Sequence, residues 1–231
     1  MAASSSLRFG LAVPWRSLAL TGAIALATSA AHAATGWDEA VQGDLANSGL
    51  APTPMLLQPG ANLVAGTTGR TAGVVDRDYF TFTLAAGQVL GAIVVLPGTT
   101  SLGISELSFI AAQSGPQVTV NPTGGSAAGL LGYWHFGPND IGGDILGVMG
   151  IAPGAIGFES PLPTGTYAFW IQDTGTGTAA YRLAFDVTVV PEPGTWALML
   201  AGGAVLVGAR KRRGSQAEVP RRMATSDSTT F

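Results

Sequence analysis

Between Ala180 and Val189 every second residue is apolar and most are large: Tyr181, Leu183, Phe185, Val187 and Val189 alternate with positions that include Arg182, Asp186 and Thr188. A period of two sends the first set to one face of an extended chain, so this segment is a strand with one face covered. The same signature marks Asp78 to Leu84, where Phe80, Phe82 and Leu84 alternate with Tyr79, Thr81 and Thr83, and Gly165 to Gln172, where Tyr167, Phe169 and Ile171 share a face. Gln88 to Leu96 is almost continuously apolar, as in a strand covered on both sides. Shorter strands are predicted at Ala61 to Gly66, at Ile104 to Ala111 with Leu107 and Ile110 in the core, and at Gln117 to Val120.

Turn residues set how these strands connect. Gly66 to Gly73 is expected to end the first strand, and Ala85-Ala86-Gly87 to make a hairpin of the next two. From Asn121 to Pro161 glycine dominates, which predicts long loops over one end of the fold, with one or two helical turns at Ile145 to Ile151. Pro52, Pro54 and Pro59 forbid a long helix near the start, so 34–60 reads as an irregular arm. The fold class is all-β: a single antiparallel β-sandwich, jelly-roll-like, over 61–190.

Both ends of the chain differ from this body. Residues 1–33 have the three parts of a secretory signal peptide: Arg8 and Arg16, the apolar run Leu18 to Ala27, and small residues at Ala31 and Ala33 around His32. Signal peptidase is expected to leave Ala34 first, since about ten apolar residues are too few to span a bilayer. At the other end Pro191, Glu192 and Pro193 form an extended tripeptide that cannot join a sheet. An uncharged run follows, expected as a transmembrane helix over 195–209. Its stretch from Trp196 to Ala209 would rise roughly 21 Å as a helix, short of a core about 30 Å thick. Arg210, Lys211, Arg212 and Arg213 then act as a basic stop that stays cytoplasmic.

In these residues, 191–213, the chain resembles the PEP-CTERM family of exported bacterial proteins. The resemblance implies that Pro191, Glu192 and Pro193 are read by a membrane-embedded exosortase and that the helix anchors the protein in the inner membrane only in transit. It also implies delivery to the cell surface or outside, in Gram-negative bacteria that make exopolysaccharide. Family members usually stop after the basic cluster, whereas a polar tail, 214–231, follows here and is expected to be disordered or to reflect a misplaced stop codon. A plain membrane anchor whose prolines end the preceding strand is the bland alternative. The body resembles the pre-peptidase carboxyl-terminal type of domain through Asp76 to Gln88 and Leu162 to Ile171, which implies a β-sandwich accessory or binding module without catalytic residues.

The body carries three arginines, Arg70, Arg77 and Arg182, against eleven carboxylates, a net charge of −8. That balance excludes nucleic acid and anionic lipid as partners, and its bland reading is solubility. Cysteine is absent, so thiol catalysis and cysteine metal sites are excluded. Gly103 to Leu107 begins like a nucleophile elbow but ends in leucine. After signal cleavage His135 is the sole histidine, so neither a zinc site built on several histidines nor a second candidate base is available. Gly175 to Ala180 matches a dinucleotide fingerprint, yet a strand follows where a helix is required, and a hairpin turn is the better reading.

Carboxylates are the one functional group in quantity. Asp76 and Asp78 point the same way along a strand and offer two hard oxygens to calcium, unless Arg77 or Arg182 neutralises them or they solvate a turn. No other cofactor is expected. A glycosidase pair drawn from Asp140, Asp144 and Glu159 has nothing around it that predicts a raised pKa. Trp37, Tyr133, Trp134 and Trp170 could stack on sugar rings, although aromatics in a sandwich are more often core. The expected product is an exported, non-enzymatic protein linked to exopolysaccharide; a carbohydrate-binding module is the alternative, and a hydrolase a third.

Overall fold

The computed structural model describes residues 34–102 and 107–190. Nine strands form one sheet: β1 (Ala34–Asp38), β2 (Thr53–Pro54), β3 (Gly60–Thr71), β4 (Val74–Leu84), β5 (Gln88–Val95), β6 (Ser108–Ser114), β7 (Gly132–Phe136), β8 (Gly165–Gln172) and β9 (Gly177–Val189). Two short α-helices, α1 (Glu39–Gln42) and α2 (Leu146–Gly150), and a 3-10 turn at Pro138–Asp140 interrupt them. The strand order is β5-β9-β3-β4-β8-β6-β7, with β1 beside β3 and β2 beside β4.

The sheet folds over on itself at the β3–β4 hairpin, giving two halves that share one core. Only Gly69 to Thr71 pairs with Val74 to Asp76, around a two-residue turn in which Ala72 and Gly73 both have positive φ, 50° and 82°. Such primed turns match the strand twist, and glycine takes the left-handed conformation without strain. Beyond the turn the strands part. β3 runs along β9 and β4 along β8. The segment 137–162 fills the remaining gap between edge strands, bridging β5 at Ile141, Asp144 and Leu162, with α2 packed on β5 and β7. The result is a nearly closed, barrel-like sheet, which agrees with the all-β expectation.

The alternating residues do what their period requires. Phe80, Phe82, Phe169 and Phe185 meet in the core, with Phe169 stacked between Phe80 at 5.5 Å and Phe82 at 5.4 Å and Phe185 edge-on to all three. Offset and edge-to-face aromatic contacts of this kind add to simple burial. A second, smaller cluster lies on the outer face of β4, β6 and β8, where Tyr79, Ala111 and Trp170 are covered by Val118 and Leu130.

Several connections depart from the sequence reading. Ala85-Ala86-Gly87 is a turn, but β4 and β5 do not pair; β5 crosses to the other half and pairs β9. The turn before β9 likewise joins strands that do not pair. β3 continues through Gly66 and Gly69 to Thr71. Gln117 to Val120 is irregular, because Val118 is fixed instead by its bond to Gly49 O. Ile110 is fully buried, whereas Leu107 is exposed just before β6. Residues 34–60 are more ordered than an arm: β1 runs parallel to β3, and Ala46 bridges Tyr79. Among the described residues no helix is long and apolar enough to cross a membrane. The expected helix over 195–209, the signal peptide with Ala31 and Ala33, and the Gly103 to Glu106 part of the elbow-like motif lie outside the described residues.

Candidate functional site

β4 carries its two phenylalanines and its two aspartates on one face. Phe80, Phe82 and Leu84 occupy the centre of the core, and the same face continues through Asp78 and Asp76 toward the β3–β4 turn. Asp78 is fully buried, and neither of its oxygens has a hydrogen-bond partner. Arg77 cannot help, since alternation puts it on the opposite face, where its Nε donates to Gln172 Oε1 at 2.9 Å. Arg182 faces outward on β9, against Gly98. The neutralisation by either arginine that the sequence allowed does not occur.

What surrounds Asp78 is more acid. The Asp38 side chain caps α1 by accepting from Ala40 N at 3.0 Å, which starts the helix at Glu39 and aims that side chain inward. Glu39 Oε1 accepts from Leu45 N at 3.0 Å and Oε2 from Thr67 N at 2.8 Å, so its orientation is fixed. The chain then returns along β4: Tyr79 N donates to Ala46 O, Arg77 N to Asn47 Oδ1, and Asn47 Nδ2 to Asp76 Oδ1. This brings one oxygen each from Glu39, Asp44 and Asp78 within 4.8 Å of one another. Gly66, opposite Tyr181 in the ladder, makes room for them. A Cβ there would sit 2.5 Å from both Glu39 Cδ and Tyr181 Oη.

Burial first, then the charge of Glu39, pushes the Asp78 carboxyl up to about 9. Burial likewise raises Glu39, and burial with the Asp44 charge raises Asp76. The Tyr181 hydroxyl lies beside Asp78 and is itself raised, chiefly by burial and then by the Asp78 charge. The two groups are neighbours, yet neither makes a hydrogen bond that meets the full distance and angle requirements.

A second site lies on the outer face. Phe109, Tyr133, His135, Trp170 and Gln172 form the floor of a cleft of about 290 Å³ walled by Asn121 to Leu130. Phe109 packs edge-on to Trp170 at 4.8 Å and stacks with Tyr133 at 5.8 Å. Trp170 is buried, yet its indole N–H has no acceptor. His135 is exposed and packs edge-on to Phe109, and burial of its ring lowers its pKa. Of the four aromatics named from sequence, Tyr133 and Trp170 line this cleft, Trp37 packs on the main core and Trp134 is exposed on β7, away from the cleft.

Asp140, Asp144 and Asp173 hold loops, whereas Glu159 is exposed and Asp186 half-buried on β9. Asp140 Oδ2 accepts from Gly137 N, and Asp144 Oδ1 from both Ile93 N and Leu146 N. Asp173, in the turn after β8, accepts from Leu102 N, Ser108 Oγ and Gly175 N.

The body ends where the carboxyl-terminal motif begins. β9 stops at Val189, and Val190 N donates to Gly87 O at 2.7 Å, one residue before Pro191. Residues 189–213 match the family model described as the PEP-CTERM protein-sorting motif. That motif is the signal an exosortase recognises, and it supports an exported protein that passes through the membrane before reaching the surface or the exterior. No curated protein and no solved structure matches the chain.

Proposed function

We propose that this chain is a non-enzymatic surface or extracellular protein of the exopolysaccharide matrix, sorted by an exosortase at Pro191 to Pro193. The observation that carries this reading is the PEP-CTERM match at 189–213, which begins where the last strand of the sheet ends. The β-body is then the mature product, and the apolar run and basic cluster are discarded. Intact mass of the protein from its native cells, divided into membrane, surface and medium fractions, tests it. A surface or medium species that starts at Ala34 and ends near Pro191 is expected. A membrane species that retains the mass of Trp196 to Phe231 would overturn it and leave a permanently anchored protein.

A second reading, carbohydrate binding, is favoured by the outer cleft. Its aromatic floor suits the apolar face of a sugar ring, and the unpartnered Trp170 N–H would find an acceptor in a sugar hydroxyl. Retention of the protein on immobilised acidic or neutral polysaccharide, lost in Tyr133→Ala and kept in Trp134→Ala, would support it. Absence of retention across both polymer types would sink it.

A further inference from the structure

Carboxylates from α1, the loop after it and β4 converge on one point. One oxygen from each of Glu39, Asp44 and Asp78 lies within 4.8 Å of the others. At that ceiling an ion at their centre lies about 2.8 Å from each oxygen, so a shift of a few tenths of an ångström by the exposed Asp44 brings all three within the roughly 2.3–2.6 Å of a Ca–O contact. A separate observation points into the same space from the opposite half of the fold. Tyr181 on β9 is buried, its hydroxyl has no partner, and it is aimed at Asp78 and Glu39 across Gly66. Both oxygens of Asp78 are also without donors. Three buried oxygens, both of Asp78 and the Tyr181 hydroxyl, thus meet the Glu39 and Asp44 carboxylates with no N–H or cation beside them, which is unfavourable for an ionised Asp78 unless something positive sits there.

We propose that Glu39, Asp44 and Asp78 bind calcium, with the Tyr181 hydroxyl oxygen beside the ion and water completing the shell. The donor set is all oxygen, which suits a hard cation and excludes the softer metals that prefer nitrogen and sulfur. Magnesium demands a near-ideal octahedron at about 2.0–2.1 Å, whereas calcium accepts the irregular set that one glutamate, two aspartates and a phenol provide. Glu39 is pre-oriented by its bonds to Leu45 N and Thr67 N, which is how outer-sphere hydrogen bonds position a ligand carboxylate. Asp44 is exposed and supplies the path by which an ion enters. Asp76, although on the same face of β4, is turned to Asn47. The bound ion fastens α1 and the loop after it to the centre of the sheet, so calcium stabilises the fold.

The test is a thermal melt of the purified full-length protein, stripped with EGTA and then given calcium chloride at about 10 mM, above the ~0.1–1 mM affinities of extracellular modules. A rise in Tm of about 3–10 °C is expected by mass action. Asp44→Asn should fold normally, since the residue is exposed, and should lose the rise. An unchanged wild-type Tm, an equal rise in Asp44→Asn, or an equal rise with magnesium chloride would each overturn the assignment.

Discussion

Among the described residues two aspartates are buried, and they are buried in opposite ways. Asp173 sits in the turn after β8 and accepts three hydrogen bonds, from Leu102 N, Ser108 Oγ and Gly175 N. Asp78 sits at the edge of the aromatic core, accepts none, and faces Glu39, Asp44 and Asp76. Burial of a charge is tolerated when donors replace the lost water. Asp173 meets that condition within the protein and so holds a loop. Asp78 does not, and is completed only by a proton or by a cation from outside.

The largest effect that separates the two is loss of the donors' partner. Asp173→Ala strands two backbone amides and a buried hydroxyl, and should cost about 3 kcal/mol or more in urea unfolding at neutral pH. Asp78→Asn should go the other way in EGTA. The folded protein keeps the Asp78 proton up to about pH 9, whereas the unfolded chain releases it near 3.8. The folded state therefore binds the extra proton, and its stability falls as pH rises from about 4 to about 9. Melts between pH 5 and 8 in EGTA should show Tm declining with pH in the wild type and a flatter profile in Asp78→Asn. A wild-type profile that rises with pH would mean that Asp78 is ionised and compensated in the folded protein, against this reading.

Gly66→Ala tests the crowding around the site. Its Cβ would meet Glu39 and Tyr181 at 2.5 Å, so a loss of about 1–3 kcal/mol is expected on denaturant unfolding. Tyr181→Phe should have the smallest effect, within about 1 kcal/mol, because it removes a hydroxyl that has no partner to strand. A larger loss in the absence of calcium would mean that this hydroxyl is bonded after all.

Strands were readable where burial is a local matter. Phe80, Phe82 and Leu84, or Tyr181 through Val187, announce their faces by alternation alone, and the structure places them accordingly. Pairing was not readable. A turn such as Ala85-Ala86-Gly87 looks the same whether its strands pair or diverge into two halves, and only the core that each must cover decides. The acidic site was half visible. The spacing of Asp76 and Asp78 put both on one face, but Glu39 and Asp44 belong to a segment read as irregular. The signals that mark them are the Asp38 cap, which starts a helix at Glu39, and Gly66 in mid-strand opposite Tyr181. The arginines were a false lead for the reason that made the aromatics legible: neighbours on a strand point apart.

β9 lies between β3 and β5, and Asn62 Nδ2 donates to Phe185 O across a separation of 123 residues. This strand is the last of the sheet to leave the ribosome. Until it arrives, β5 has no partner strand, only the isolated bridges to 137–162, and β3 has only its short hairpin with β4 and the parallel β1. The body therefore cannot finish folding while it is being made. A chain that stays open until residue 189 has emerged is one that can still be threaded through a membrane pore, and its own strand order keeps it so.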